Sequence, residues 1–258
     1  MKAKIWKALQ VVTIAAAVAL MGGVGYTVVH YLRTSPRFEV KKVLVLGWKR
    51  ETENRVLTQA DVPDRANIFS LDLDGIRERV EKMQWVRYAT VERVLPDTIT
   101  IKLVEREPVG LAMLHGKIFQ FDTDAAVLEY DAASGVNYPI LEGFVPNDPS
   151  GNLRRVDLYT RVLKDLQGQS ELSEVHINDA DEVSIVLTGD SMVVNLGVGD
   201  FRARWLRYLE LKAQIQEQYP EAIQVDFRFQ NQVIVCVQPD KCGPGDEKVV
   251  WDVEKKSL

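Results

Sequence analysis

The longest feature in the pattern of apolar and polar positions is a run without charge. From Ala8 to Val29 (ALQVVTIAAAVALMGGVGYTVV) only Gln10, Thr13 and Thr27 interrupt apolar or small residues, and Lys2, Lys4 and Lys7 precede it. At helical rise the run spans ~33 Å, enough for a hydrocarbon core of ~30 Å. It therefore predicts a transmembrane helix over 8–29, with 1–7 as a cytoplasmic tail. A cleaved signal peptide competes, because Ala17-Val18-Ala19 has the small-x-small form of a cleavage site. Against it, the apolar run continues past Ala19 and would face water at a mature amino terminus. Arg33, Arg37, Lys41 and Lys42 balance the positive charge before the helix, so flanking charge does not fix orientation. Long domains translocate largely regardless of charge, and the topology adopted places all that follows the helix outside the cytoplasm.

After Pro36 the periodicity shortens. Phe38 to Leu46 (FEVKKVLVL) is β-branched and apolar enough for a strand closed by Gly47. Thr52 is placed to cap a short helix through Ala60, and Ser70 or Asp72 a second in which Leu73, Ile76, Val80 and Met83 fall on one face. Two extended runs follow, Trp85 to Val94 and Thr98 to Arg106. They are joined at Leu95-Pro96-Asp97, where Pro fits the first corner of a tight turn. The order strand, helix, helix, strand, strand predicts a three-stranded sheet with two helices on one face. Trp85 and Val91 are expected in its core, Pro96 and Asp97 in its turn, and Glu105, Arg106 and Glu107 at a solvated strand end.

The second half reads as short strands: 117–121, 126–130 and 138–141, then a connection over 145–151 with Pro146 and Pro149. A helix over 153–166 carries Val156, Tyr159, Leu163 and Leu166 on one stripe. Strands over 172–177, 183–187 and 192–196 precede a helix over 201–219, capped by Asp200 and ended by Pro220. Its apolar face is Phe201, Trp205, Tyr208, Leu211, Ile215 and Tyr219. Arg202, Arg204 and Arg207 crowd its amino-terminal end, where the backbone dipole disfavours positive charge. Strands over 223–229 and 232–238 close the unit. The fold class is α+β: an N-terminal transmembrane helix, a β-α-α-β-β domain over 38–107, and a strand-rich antiparallel β domain with two helices over 108–238. The polar tail over 239–258 is expected to be mobile, with Val249-Val250-Trp251 a small docking patch in it.

Composition narrows the function. The chain carries 32 basic and 37 acidic residues, and three of the lysines lie ahead of the first helix. So acidic a remainder argues against nucleic-acid binding, which draws on Lys and Arg to neutralise phosphate. Cys236 and Cys242 are the only cysteines; the short loop between them can bend back to pair them, and two Cys without a nearby His are too few for a structural zinc site. His30, His115 and His176 sit near no nucleophile elbow, His-x-x-Glu-His or phosphate-binding glycine loop. Gly197-Val198-Gly199 follows a strand but lacks the third glycine of a dinucleotide site. The expectation is a binding protein with no catalytic, metal or cofactor residues.

The wording of the first unit is more telling than its order. FEVKKVLVLG, ANIFSLDLDGIRERV and WVRYATVERVLPDTITIKLVEREPVG resemble a POTRA domain of the FtsQ/DivIB family of bacterial cell-division proteins. The matches concentrate in Trp85-Val86, Ala89, Val91, Arg93, Pro96-Asp97 and Glu105 to Val109. The resemblance implies a single-pass inner-membrane protein with a periplasmic body at the division septum. It also implies linkage of divisome proteins to septal peptidoglycan synthesis by docking FtsB, itself joined to FtsL, on the last strand pair. Its Asp-x-Arg-aromatic segment falls here on Asp226, Arg228 and Phe229, with Asn231 following. A partner segment adding to the last strand as a further strand would also meet Val233, Val235 and Val237, and the clustered Arg202, Arg204 and Arg207 could meet an acidic partner, Arg202 being the one counted as a site residue. Two departures stand out: Gln232 replaces a common Gly, and Cys236-Val237 replaces an expected aromatic. The rival reading of a POTRA shape, chaperone-like capture of envelope polypeptides, favours tandem POTRA units or a barrel.

Overall fold

The computed structural model describes residues 2–131, 137–166, 172–238 and 249–252. They divide into two compact units, Met1–Arg106 and Glu107–Leu258. In the first, α1 runs Lys2–Thr34, and its Thr13–Thr34 part is long and apolar enough to cross a membrane, with mean hydropathy 1.5. The helix outruns the expected 8–29 because flanking charge does not end a helix. Ser35-Pro36 does, since proline disfavours helical backbone in the residue before it. Beyond it, Asn67 Nδ2 donates to the Leu32 carbonyl (2.8 Å). Tyr31 meets Phe38 edge-on, and Phe38 meets Phe69 likewise. The end of the helix is thus fastened directly to the folded unit.

That unit has the expected order: β1 (Lys42–Leu46), α2 (Glu53–Ala60), α3 (Leu73–Glu81), β2 (Val86–Val94) and β3 (Thr98–Glu105). The sheet order is β1-β3-β2, with β1 parallel and β2 antiparallel to the central strand. Thr52 accepts from the Arg55 amide and Asp72 from the Gly75 amide, which caps both helices. Val45, Ile99, Ile101 and Leu103 bury one sheet face against Val56, Ile76 and Val80.

Two expectations here need correction. Glu105 is buried, not solvated: its carboxylate accepts from the amides of Lys49 (2.8 Å), Arg50 (2.8 Å) and Glu51 (3.0 Å). The loop after β1 turns its amides inward, and the carboxylate satisfies donors that no strand reaches. Trp85 is only half-buried and lies under the Arg50 guanidinium, 4.4 Å from the ring centroid. The Leu95–Pro96 peptide at the β2–β3 turn is cis.

The second unit begins with a strand that the sequence pattern did not reveal, β4 (Pro108–Leu114). Pro108 and Gly110 read as loop residues, yet Gly110 is buried, and a Cβ there would collide with the rings of Phe121 and Tyr159. There follow β5 (Lys117–Asp122), β6 (Val127–Glu129), β7 (Ile140–Glu142), α4 (Pro149–Leu166), β8 (Leu172–Ile177), β9 (Val183–Leu187) and β10 (Val193–Gly197). The unit ends with α5 (Phe201–Gln218), β11 (Gln224–Asp226), β12 (Gln232–Cys236) and β13 (Val249–Asp252). One ten-stranded sheet runs β13-β12-β11-β10-β9-β8-β7-β4-β5-β6. It is mixed rather than purely antiparallel. β7 to β8 and β10 to β11 are parallel neighbours joined through α4 and α5, the crossover that parallel pairing requires. The buried faces of the two helices share one core with Leu141, Val175, Ile185 and Val194.

α4 starts at Pro149, inside the expected connection. Proline suits a first helical position, and Asp148 accepts from the Gly151 amide (3.0 Å). Arg155, buried on this helix, reaches Asp148 (3.0 Å) and Asp179 (2.6 Å). The tail also departs from expectation: Val249–Asp252 pairs antiparallel with β12, Gln232 opposite Asp252 and Val235 opposite Val249. The rest of 239–258 lies outside the described residues. Cys236 is disulfide-bonded; Cys242 also falls outside them.

Three measurements check this account. Glu105→Ala should leave the Lys49–Glu51 amides unprotected in hydrogen exchange and destabilise the first unit by about 2 kcal/mol in urea. Arg155→Ala should destabilise the second unit by about 2 kcal/mol, and Asp179→Asn, at an exposed partner, by less than about 1 kcal/mol. The Gly151 amide and Arg155 hold Asp148 below its ordinary 3.8, and Asn178 and Arg228 hold Glu182 below 4.5. Both carboxylates therefore stabilise the fold above those values and lose that contribution as pH falls through their lower folded-state values. The urea midpoint should stay level from about pH 7 to 5 and drop below about 4.

Candidate functional site

β10 ends in Leu196-Gly197-Val198-Gly199-Asp200, and this segment positions the site. Gly197 and Gly199 take positive φ (+65° and +66°), turning the chain from sheet to helix. The Arg228 stem lies directly over Gly197, where a Cβ would displace it. Arg204, one turn into α5, reaches back through Nη1 to the carbonyls of Leu196, Val198 (3.1 Å) and Gly199 (2.9 Å). Asp200 itself sits in the left-handed region and makes no side-chain cap, contrary to expectation. The Gly-x-Gly pair therefore seats two arginines.

Asp226 and Arg228 form the second wall. Arg228 Nε donates to both carboxylate oxygens of Asp226 (3.1 and 3.0 Å), Nη2 donates to Oδ2 (2.8 Å), and Nη1 reaches Glu182 on the neighbouring turn (2.8 Å). The bonds to Asp226 lead in raising the Arg228 guanidinium above its ordinary value, against the opposing effect of burial. Arg207 Nη1 donates to the Phe229 carbonyl (2.7 Å) and fixes the turn after β11. Burial pushes its guanidinium below its ordinary value. Between α5 and this turn lies a groove of about 250 Å³ bordered by Arg204, Arg207, Phe227, Arg228, Phe229 and Gln230. Phe227 is buried against Tyr208, whereas Phe229 keeps 41% of its surface exposed.

The expected site residues fall into three groups. Arg228 and Phe229 line the groove, Asp226 is buried behind it and holds Arg228, and Asn231 is exposed on the turn leading to β12. Arg202 is exposed on the first turn of α5 and forms no ion pair among the described residues. Val233 and Val235 are fully buried in the core, and Val237 packs partly against it. These three were expected to meet a partner, but strand alternation turns the first two inward, so only their backbone could take part. The outer border of that backbone is itself taken, because β13 pairs along it and becomes the last strand of the sheet. Arg204 and Arg207, which with Arg202 could meet an acidic partner, border the groove, and so does Gln230, which the sequence pattern did not single out.

On the sheet surface a second polar cluster forms. His176 stands opposite Glu142 in the β7–β8 register, and its Nδ1 and Nε2 lie 2.9 Å and 2.7 Å from Glu142 and Glu174. Among the described residues this is the one group of His, Cys, Asp and Glu whose donor atoms converge, all within 4.8 Å. A groove of about 360 Å³ runs beside it, bordered also by Asn178, Glu182, Ser184 and Asn195. The Glu142–His176 contact ties β7 to β8, while the Glu174–His176 contact stays within β8.

Known proteins match both units. Residues 38–106 fit the FtsQ-type POTRA domain, and 112–228 fit the C-terminal domain of the cell division protein FtsQ/DivIB. The chain is similar to a "Cell division protein FtsQ" of Koribacter versatilis, 29% identical over 84% of this chain and 66% of the relative. Proteins of the same name match from Geotalea daltonii, 23% identical over 89% and 86% of the two chains, and Myxococcus fulvus, 26% over 81% and 76%. Two domain matches in the family's order, behind an apolar helix and supported by relatives spanning most of the sequence, show that this chain belongs to the FtsQ/DivIB family of cell division proteins.

Proposed function

We propose that the chain is a division scaffold in the inner membrane, with its amino-terminal end in the cytoplasm and both folded units in the periplasm. It recruits FtsB/FtsL-like partners and other divisome components to septal peptidoglycan synthesis by protein contact, without catalysis. The observation that carries this reading is the groove at the carboxyl end of the second unit. An exposed aromatic, Phe229, sits there beside partly exposed, hydrogen-bonded arginines, next to the last strands of a sheet. A rigid aromatic anchor flanked by fixed charges is the composition of an interface centre. Arg202, exposed at the rim, supplies steering toward an acidic partner. Backbone pairing at the sheet border adds grip without depending on partner side chains.

A tagged copy should gather at midcell, and depletion should block septation and give filaments. Diffuse envelope staining with normal division would count against the scaffold. Phe229→Ala should weaken binding of the FtsB-like partner by about 2 kcal/mol, roughly thirtyfold in Kd, with circular dichroism of the chain unchanged. Arg202→Glu should slow association several-fold, with the gap closing as salt rises. Equal binding by wild type and both variants removes the groove from the contact.

A further inference from the structure

We propose that Val249–Asp252 is an exchangeable occupant of the β12 border: the chain's own tail fills the strand-accepting site, and an extended partner segment takes its place. This rests on the scaffold reading above and names how that site is regulated. β12 pairs over three residues with β11 on its inner side and over four with β13 on its outer side. Without β13, the outer row of amides and carbonyls on β12 would meet only water, the usual liability of an edge strand. With β13 in place, no partner can reach that row.

The pairing is suited to exchange. Four residues of strand cover only ~13 Å, and β13 has no further strand beyond it, so one ladder holds it in the sheet. Residues 237–248 tether it to β12, and this stretch includes Pro239, Gly243, Pro244 and Gly245. A short tether sets an effective concentration on the order of millimolar, so the tail holds the border in the isolated chain. A partner strand that also anchors in the Phe229 groove gains contacts outside the border and displaces it. The fitting partner is therefore a segment extended for at least the length of β12 that carries a side chain for the groove.

Two variants test this: the chain ended after Gly245, which keeps Cys242, and the full chain with Trp251→Pro, which removes the amide that pairs with Val233 in the β13 ladder. Both are compared with the full chain in detergent. The probes are a labelled synthetic peptide of residues 246–258 and the purified FtsB-like protein of the same bacterium. In both variants the Val233 and Val235 amides, which face β13, should exchange at least tenfold faster, while those of Ile234 and Cys236, which face β11, should not. Both should bind the peptide saturably while the full chain binds it at least tenfold more weakly, and both should bind the FtsB-like protein more tightly than the full chain does. The FtsB-like protein should compete the peptide off. Equal amide exchange in all three chains, or equal affinity for the FtsB-like protein, overturns the exchange. Peptide binding without any binding of the FtsB-like protein overturns the scaffold reading and the partner's part in the exchange, leaving the tail as a fixed structural strand.

Discussion

Backbone amides and carbonyls at the end of a sheet need partners as much as those in its middle, and this need shapes the second unit from β7 to the tail. Several of its strands are only three residues long, too short to hold a register alone. β7 and β11 are held by neighbours on both sides, and β6, the last strand at the other end of the sheet, by β5 alone. The two crossovers make parallel joints where a chain of hairpins would have made antiparallel ones. At the far end no crossover remains, and the tail returns to pair with β12.

The arginines at the start of α5 show the same demand met by side chains. Positive charge there opposes the helix dipole, yet Arg204 and Arg207 are spent on carbonyls of the turns before the helix and after β11. Those carbonyls belong to loops that leave the sheet, where no strand can accept them into a ladder. Two turns distant in sequence are drawn to one helix end, and Phe229 is held where it faces solvent. Arg202 alone of the three stays exposed.

Much of this was legible from spacing. The first unit follows from its apolar periodicity and cap residues, because each element there is amphipathic and local. In the second unit the helices were legible from their stripes, but β4 was not, since a strand built from Pro108, Gly110 and Ala112 has little β-propensity and is selected by tertiary packing. Val233 and Val235 were misplaced for a related reason: alternation shows which residues share a face, not which face is inside. Glu105 closing a loop, and the tail returning to β12, depend on pairings across tens of residues or with an end strand, which no local pattern encodes.

The fastening of Asn67 to Leu32, with Tyr31, Phe38 and Phe69 packed edge-on beside it, has a mechanical consequence. At 33 residues α1 is about 50 Å long, so it outlasts a ~30 Å hydrocarbon layer and meets the POTRA unit without a swivel. A torque or tilt imposed on this helix is delivered to the POTRA unit through these contacts. The attachment behaves as a lever rather than a leash.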